Sequence, residues 1–143
     1  MYYLENIYRL INKYNQKSRK ARTYGTEDLL YPAEVHLMEI IGAYREITTT
    51  KLAEVLGITK GAVSQTTTKL LSKELITKSA SKERTNEVQI SLSEKGQVVF
   101  QHHRKLHENM INRVDCLVQG LPHESKEVIQ NMFQIIEESL DEV

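Results

Sequence analysis

The sequence predicts a mainly α-helical chain that carries one small β-hairpin, and three patterns lead there. Apolar residues recur at three- and four-residue spacing through most of the 143 residues, the period of helices with one buried face. Between Leu75 and Leu92 the period changes. There "LITKSA" and "NEVQISL" are strand-like, the second alternating Val88, Ile90 and Leu92 with Glu87, Gln89 and Ser91. The polar "SKERTN" between them reads as a hairpin with a protruding tip. Thirdly, Gly25, Pro32, Gly57 and Gly120-Leu121-Pro122 fall between the periodic segments, where breakers belong.

Taken in order, residues 2 to 15 place Leu4, Ile7, Ile11 and Tyr14 on one stripe of a first helix, which "TYGTED" interrupts. Pro32 suits the first turn of a second helix, since its missing N–H costs nothing there, and Val35, Met38 and Ile41 continue it to about Ala43. Thr49 is the expected N-cap of a short third helix, "TKLAEVLG", which Gly57 can end in a left-handed conformation. Thr59 is the next N-cap, and a fourth helix runs from Lys60 to about Lys73 with Val63, Thr67, Leu70 and Leu71 inward. After the hairpin, Ser93 caps a long helix through Val98, Phe100, Leu106, Met110, Val114 and Leu117. A last helix carries Val128, Ile129, Met132, Phe133, Ile136 and Leu140.

Length and composition bound the function. The chain is one domain's worth, has no run of eighteen apolar residues and lacks the apolar block of a signal peptide, so a cytoplasmic protein without membrane contact is expected. One cysteine, Cys116, excludes an internal disulfide; flanked by Val114, Leu117 and Val118 it reads as a packing residue. Net charge is zero but unevenly placed. Residues 13 to 22 hold five bases and no acid, and residues 60 to 86 hold Lys60, Lys69, Lys73, Lys78, Lys82 and Arg84 against Glu74 and Glu83. From Gly120 onward the chain is acidic, so a basic middle can attract an anion while the whole stays neutral. No glycine-rich phosphate loop, no nucleophile with a base and orienter, and no paired carboxylates in an apolar setting occur, which argues against an enzyme.

A short helix, a glycine turn, a second helix and a two-stranded hairpin make the winged form of the helix-turn-helix, whose second helix enters a DNA major groove. Small Ala53 suits the helix crossing, Gly57 the turn, and Val63 with Leu70 holds the second helix down. Gly61, Ser64, Gln65, Thr68 and Ser72 then face outward, which explains why poor helix formers stand in mid-helix: short hydroxyls and a glutamine can reach phosphates and base edges. Gln65 suits adenine, the Thr68 methyl suits a thymine methyl, and Lys60 and Lys69 suit phosphates. The residues set against DNA are therefore Thr59, Lys60, Ser64, Gln65, Thr68 and Lys69, with Lys82 and Arg84 from the hairpin tip.

Residues 31 to 96 resemble the MarR family of bacterial and archaeal transcriptional regulators. "TTTKLAEVLGITKGAVSQTTTKLLSKELI" followed by "VQISLSEKG" is similar to that family's helix pair and to its leucine-threonine-glutamate-lysine-glycine signature, with Ser93 in place of threonine. The resemblance implies one domain over 1-143, with a winged-helix DNA-binding lobe at 32-92 and dimerisation helices at 1-24 and 98-143. It also implies a homodimeric repressor on a pseudo-palindromic operator, its partners being double-stranded DNA and a second copy of itself. The wing departs from the family pattern of one acid and two bases, reading Glu83-Arg84-Thr85-Asn86, and leaves Arg84 as the candidate for the minor groove.

For an effector, His103 and His107 lie four apart on the long helix and so share a face, as a metal pair requires. Resemblance to the zinc-responsive members of the family adds His36 from the second helix. Where that subgroup has an acid this chain has Ser18, so Glu27 or Asp28 from the following loop, or a water, would complete the set. No cofactor is required for folding or binding; the expected effector is a divalent metal, zinc first. An aromatic or drug-like ligand in a cleft near Tyr24, Tyr31 and Tyr44 is the alternative. A winged helix used only to bind protein is the remote one, and it would leave the outer face of residues 60 to 72 apolar or acidic.

Overall fold

Local chemistry sets most of the element ends. The computed structural model describes residues 2–80 and 87–141, and the hairpin-tip residues Lys82 and Arg84 lie outside them. The elements are α1 (Tyr2–Ser18), α2 (Pro32–Tyr44), β1 (Ile47–Thr48), α3 (Thr49–Leu56), α4 (Lys60–Ser72), β2 (Ile76–Ala80), β3 (Val88–Leu92), α5 (Glu94–Gln119) and α6 (His123–Asp141). α2 begins at Pro32, and the Glu34 carboxylate accepts the Tyr31 amide at 2.8 Å, which satisfies one of the donors a helix start leaves over.

The α3 cap is one residue earlier than expected. Thr48 Oγ1, not Thr49, accepts from the Lys51 amide at 3.2 Å, and Thr49 is already helical. Three consecutive threonines give no local signal that would separate the two positions. Ile47 and Thr48 also form β1, so the sheet has three strands in the order β1-β3-β2, antiparallel throughout, with Ile47 opposite Ile90 and Ile76 opposite Leu92. Gly57 ends α3 in the left-handed region, φ 63°, and the following amide of Ile58 returns to Ala53 O.

The core lies where α2, α3, α4, the sheet and the first turns of α5 meet. Leu30, Val35, Met38, Ile41, Leu52, Val63, Leu70, Leu75, Ile90 and Val99 are fully buried there. Three inward assignments are corrected. Leu71 is exposed, because Val63, Thr67 and Leu70 already define the buried stripe of α4. Val88 is exposed near the open end of its strand, and in α5 the buried positions are Val99 and Phe100 while Val98 faces out.

The chain divides into two compact units, residues 1–105 and 106–143. The first holds the whole core. In the second, the described residues of α5 and α6 include none that is buried. No helix among the described residues is long and apolar enough to cross a membrane.

Candidate nucleic-acid interface

The start of α4 is built by Thr59, whose Oγ1 accepts from the Ala62 amide at 3.1 Å while its carbonyl accepts from Val63. With Val63, Thr67 and Leu70 buried, the side chains of Gly61, Ser64, Gln65, Thr68 and Ser72 are exposed together, flanked by exposed Lys60 and Lys69. The expected outward face is the observed one. Its hydroxyls are not idle. Thr66 Oγ1 donates to Ala62 O at 3.0 Å, Thr67 and Thr68 Oγ1 both donate to Ser64 O at 3.1 and 2.8 Å, and Ser72 Oγ donates to Lys69 O at 2.7 Å. Threonines are tolerated in mid-helix because the helix itself takes their hydrogens.

The other end of α4 is clamped. Glu74 takes a left-handed conformation, φ 58°, which returns the Leu75 amide to Leu70 O. Ser93 Oγ donates to Glu74 O at 2.6 Å and accepts the Gly96 amide at 3.0 Å, so the expected α5 cap also ties α5 to the end of α4. A Cβ at Gly96 would overlap the Leu75 carbonyl oxygen. Lys73 Nζ, counted in the sequence among the bases of the middle segment, turns inward: it lies 2.8 Å from Glu34 Oε1 and 2.9 Å from Leu29 O. Lys95 Nζ donates to Lys73 O at 2.9 Å and pairs with Asp28 Oδ2 at 2.8 Å. The Lys95 ammonium beside it holds the Asp28 carboxyl below its ordinary value against the opposing effect of burial. The partners of Lys73 and Lys95 are distant in sequence, and only the fold reveals them.

The histidines divide between the units. His36 and His103 belong to the first, their ring centroids 5.7 Å apart, with Tyr14 stacked on His36 at 6.2 Å and Tyr24 edge-on to His103 at 5.8 Å. His103 is buried, and its Nδ1 donates to Glu39 Oε2 at 3.0 Å. Because a carboxylate only accepts, Nδ1 carries the hydrogen, and in the neutral ring Nε2 is then the lone-pair nitrogen. Sequence reasoning missed Glu39; an acid three residues after His36 on α2 was the available signal.

His107 stands one turn further along α5, in the second unit. Glu27 is exposed, and Asp28, the other acid considered, is engaged by Lys95. Two imidazoles with an orienting carboxylate suit a nitrogen-ligated divalent cation. The fit is partial, since among the described residues no group of three His, Cys, Asp or Glu is arranged to hold a metal. Of the aromatic residues considered for a ligand cleft, Tyr24 is core while Tyr31 and Tyr44 are exposed. Cys116 is exposed, so the packing expected around it is not supplied within the described chain.

Comparison with known proteins agrees with this geometry. Residues 30–83 match the model of the MarR family. The HTH-type transcriptional regulator PchR of Bacillus subtilis (strain 168) is 30% identical over 74 residues, which cover 52% of this chain and 44% of that protein. Among solved structures, the adhesin competence repressor AdcR of Streptococcus pyogenes is 18% identical, covers 95% of this chain and 96% of its own, and superposes with a TM-score of 0.70, a likeness of fold. A cysteine-to-serine variant of Lactococcus lactis ZitR in complex with DNA is 25% identical, covering 96% of this chain and 97% of its own with a TM-score of 0.61. ZitR is a zinc-responsive MarR family member. The matched segment takes in α2, β1, the helix pair and β2, β3 follows it, and the likeness of fold to AdcR runs almost end to end: residues 30–83 are similar to the MarR family, and the chain as a whole shares the fold of these solved structures.

Proposed function

We propose that the protein is a sequence-specific, double-stranded DNA-binding transcriptional regulator, a homodimeric repressor working in the cytoplasm on a pseudo-palindromic operator. The observation that carries this reading is the exposed polar face of α4, Gly61, Ser64, Gln65, Thr68 and Ser72, presented between Lys60 and Lys69. PchR is named a transcriptional regulator and the ZitR variant was solved on DNA, which supports the reading. The lobe at 32-92 meets DNA through Thr59, Lys60, Ser64, Gln65, Thr68 and Lys69, with Lys82 and Arg84 of the wing tip alongside. Residues 1-24 and 98-143 join two copies, setting half-sites about ten base pairs apart. Titration of an operator duplex at rising salt tests it: with six to eight phosphate contacts per dimer, log affinity falls against log salt with a slope of about minus five to minus seven. A slope near zero would defeat the DNA reading.

A second reading concerns the effector, and the His36–His103 pair oriented by Glu39 favours it. A divalent cation, zinc first, binds His36 and His103 with His107 of the next α5 turn, and Glu27 is the candidate fourth ligand. When bound, the cation supplies cross-linking between elements, and its affinity and that for DNA are reciprocally coupled. Glu39 fixes the ring of His103 so that Nε2 is the ligating nitrogen. Titration of chelator-treated protein with zinc decides. Tight binding lost in His103→Ala supports the site; weak binding, or binding unchanged in that variant, removes it and leaves an aromatic or drug-like ligand as the effector class.

A further inference from the structure

We infer that Thr68 selects an A·T base pair, its methyl group meeting the thymine methyl and its hydroxyl acting only as an acceptor from the adenine amine. The inference rests on the DNA-binding reading above. It starts from one bond: Thr68 Oγ1 lies 2.8 Å from the Ser64 carbonyl oxygen, one turn back in α4. A hydroxyl has one hydrogen, and this one is committed to the helix; what remains toward solvent is lone pairs and the γ-methyl.

The chemistry of the groove then divides sharply. Phosphate oxygens accept only, and so do guanine N7 and O6 and thymine O4; none of them can bond Thr68 without breaking its bond to Ser64. Adenine N6 and cytosine N4 can donate. Of these two bases, only adenine is paired with a base that carries a methyl group in the major groove, so the A·T pair alone satisfies both the oxygen and the methyl. Gln65 stands three residues earlier on the same exposed face and suits the adenine edge as well. Ser72 is built like Thr68, its hydrogen held by Lys69 O at 2.7 Å. Phosphate contacts on this face therefore fall to the ammonium groups of Lys60 and Lys69, to amides at the start of α4 and to the hydroxyls of Thr59 and Ser64, while those of Thr68 and Ser72 are left to accept.

The experiment uses the whole 143-residue chain and a library of randomised duplexes of about 20 base pairs, long enough for two half-sites. Sites are selected with wild type, Thr68→Ser and Thr68→Val, and the base pair whose preference changes on substitution is taken as the one Thr68 meets. Wild type is expected to enrich A·T there. In the selected duplex, replacing that thymine by uracil removes one methyl and should weaken wild type about fourfold. The same replacement should leave Thr68→Ser unaffected, because that variant has no methyl to lose, and should still weaken Thr68→Val. Enrichment of guanine at that position, no position that changes, or an equal uracil penalty in wild type and Thr68→Ser would overturn the inference while leaving DNA binding intact. A protein that enriches no duplex at all sinks the DNA-binding reading and this inference with it.

Discussion

Lys73 sits in a run of bases yet its ammonium turns inward, and the reason is Glu34, buried at the start of α2. A carboxylate taken out of water needs donors, and Glu34 finds two: the Lys73 ammonium and the Tyr31 amide. The neighbouring pair, Asp28 with Lys95, adds a pH dependence whose sign follows from the lowered pKa. Stability from Asp28 is fully present above the ordinary aspartate value of 3.8 and is lost as pH falls through the lower folded-state value. Urea unfolding of wild type and Asp28→Asn should therefore differ most at neutral pH and converge in the acid window below 3.8. A gap that stays constant over that window would mean the pair contributes nothing through charge. None of these partners was legible in the sequence, since Glu34 and Lys73 stand 39 residues apart and no local pattern links them. Glu39 was not hidden in the same way, since it stands three residues after His36 on α2, yet only the fold shows that its bond to His103 decides which imidazole nitrogen is available as a ligand.

At the scale of elements, the joint between α4 and α5 fixes how the candidate recognition helix is held. Leu75 O accepts from the Ser93 amide, Ser93 Oγ from Gly96, and the first turn of α5 presses so closely on Leu75 that only glycine fits at position 96. Since the obstructing atom is backbone, Gly96→Ala should cost about 3 kcal/mol, the upper end for an overpacked site, and lower the urea midpoint accordingly. A variant as stable as wild type would show that the joint yields. The α3–turn–α4 unit was readable in advance because its signals are local: caps at the helix starts, a left-handed glycine, and a stripe at helical period. β1 was not, because two residues are too few to display alternation. Leu71, Val88 and Val98 misled for a related reason: each adjoins or alternates with a residue that is buried, and burial is decided by packing, which hydropathy alone does not locate.

At the scale of the molecule, none of the apolar residues of the terminal helices is buried within one described chain. α1 buries none of its residues, Leu10 being 68% exposed; α6 buries none, Phe133 being 63% exposed. Apolar surface of this extent is seldom left to water. If a second copy covers it, folding and association are one event, and the thermal midpoint rises with protein concentration. Phe133→Glu, which would place a carboxylate in that interface, should lower the midpoint and abolish its concentration dependence. It should also weaken operator binding, because a single subunit meets only one half-site. Sedimentation equilibrium of wild type showing a monomer at micromolar concentration, with a midpoint indifferent to dilution, would leave the terminal helices without the partner that their composition requires.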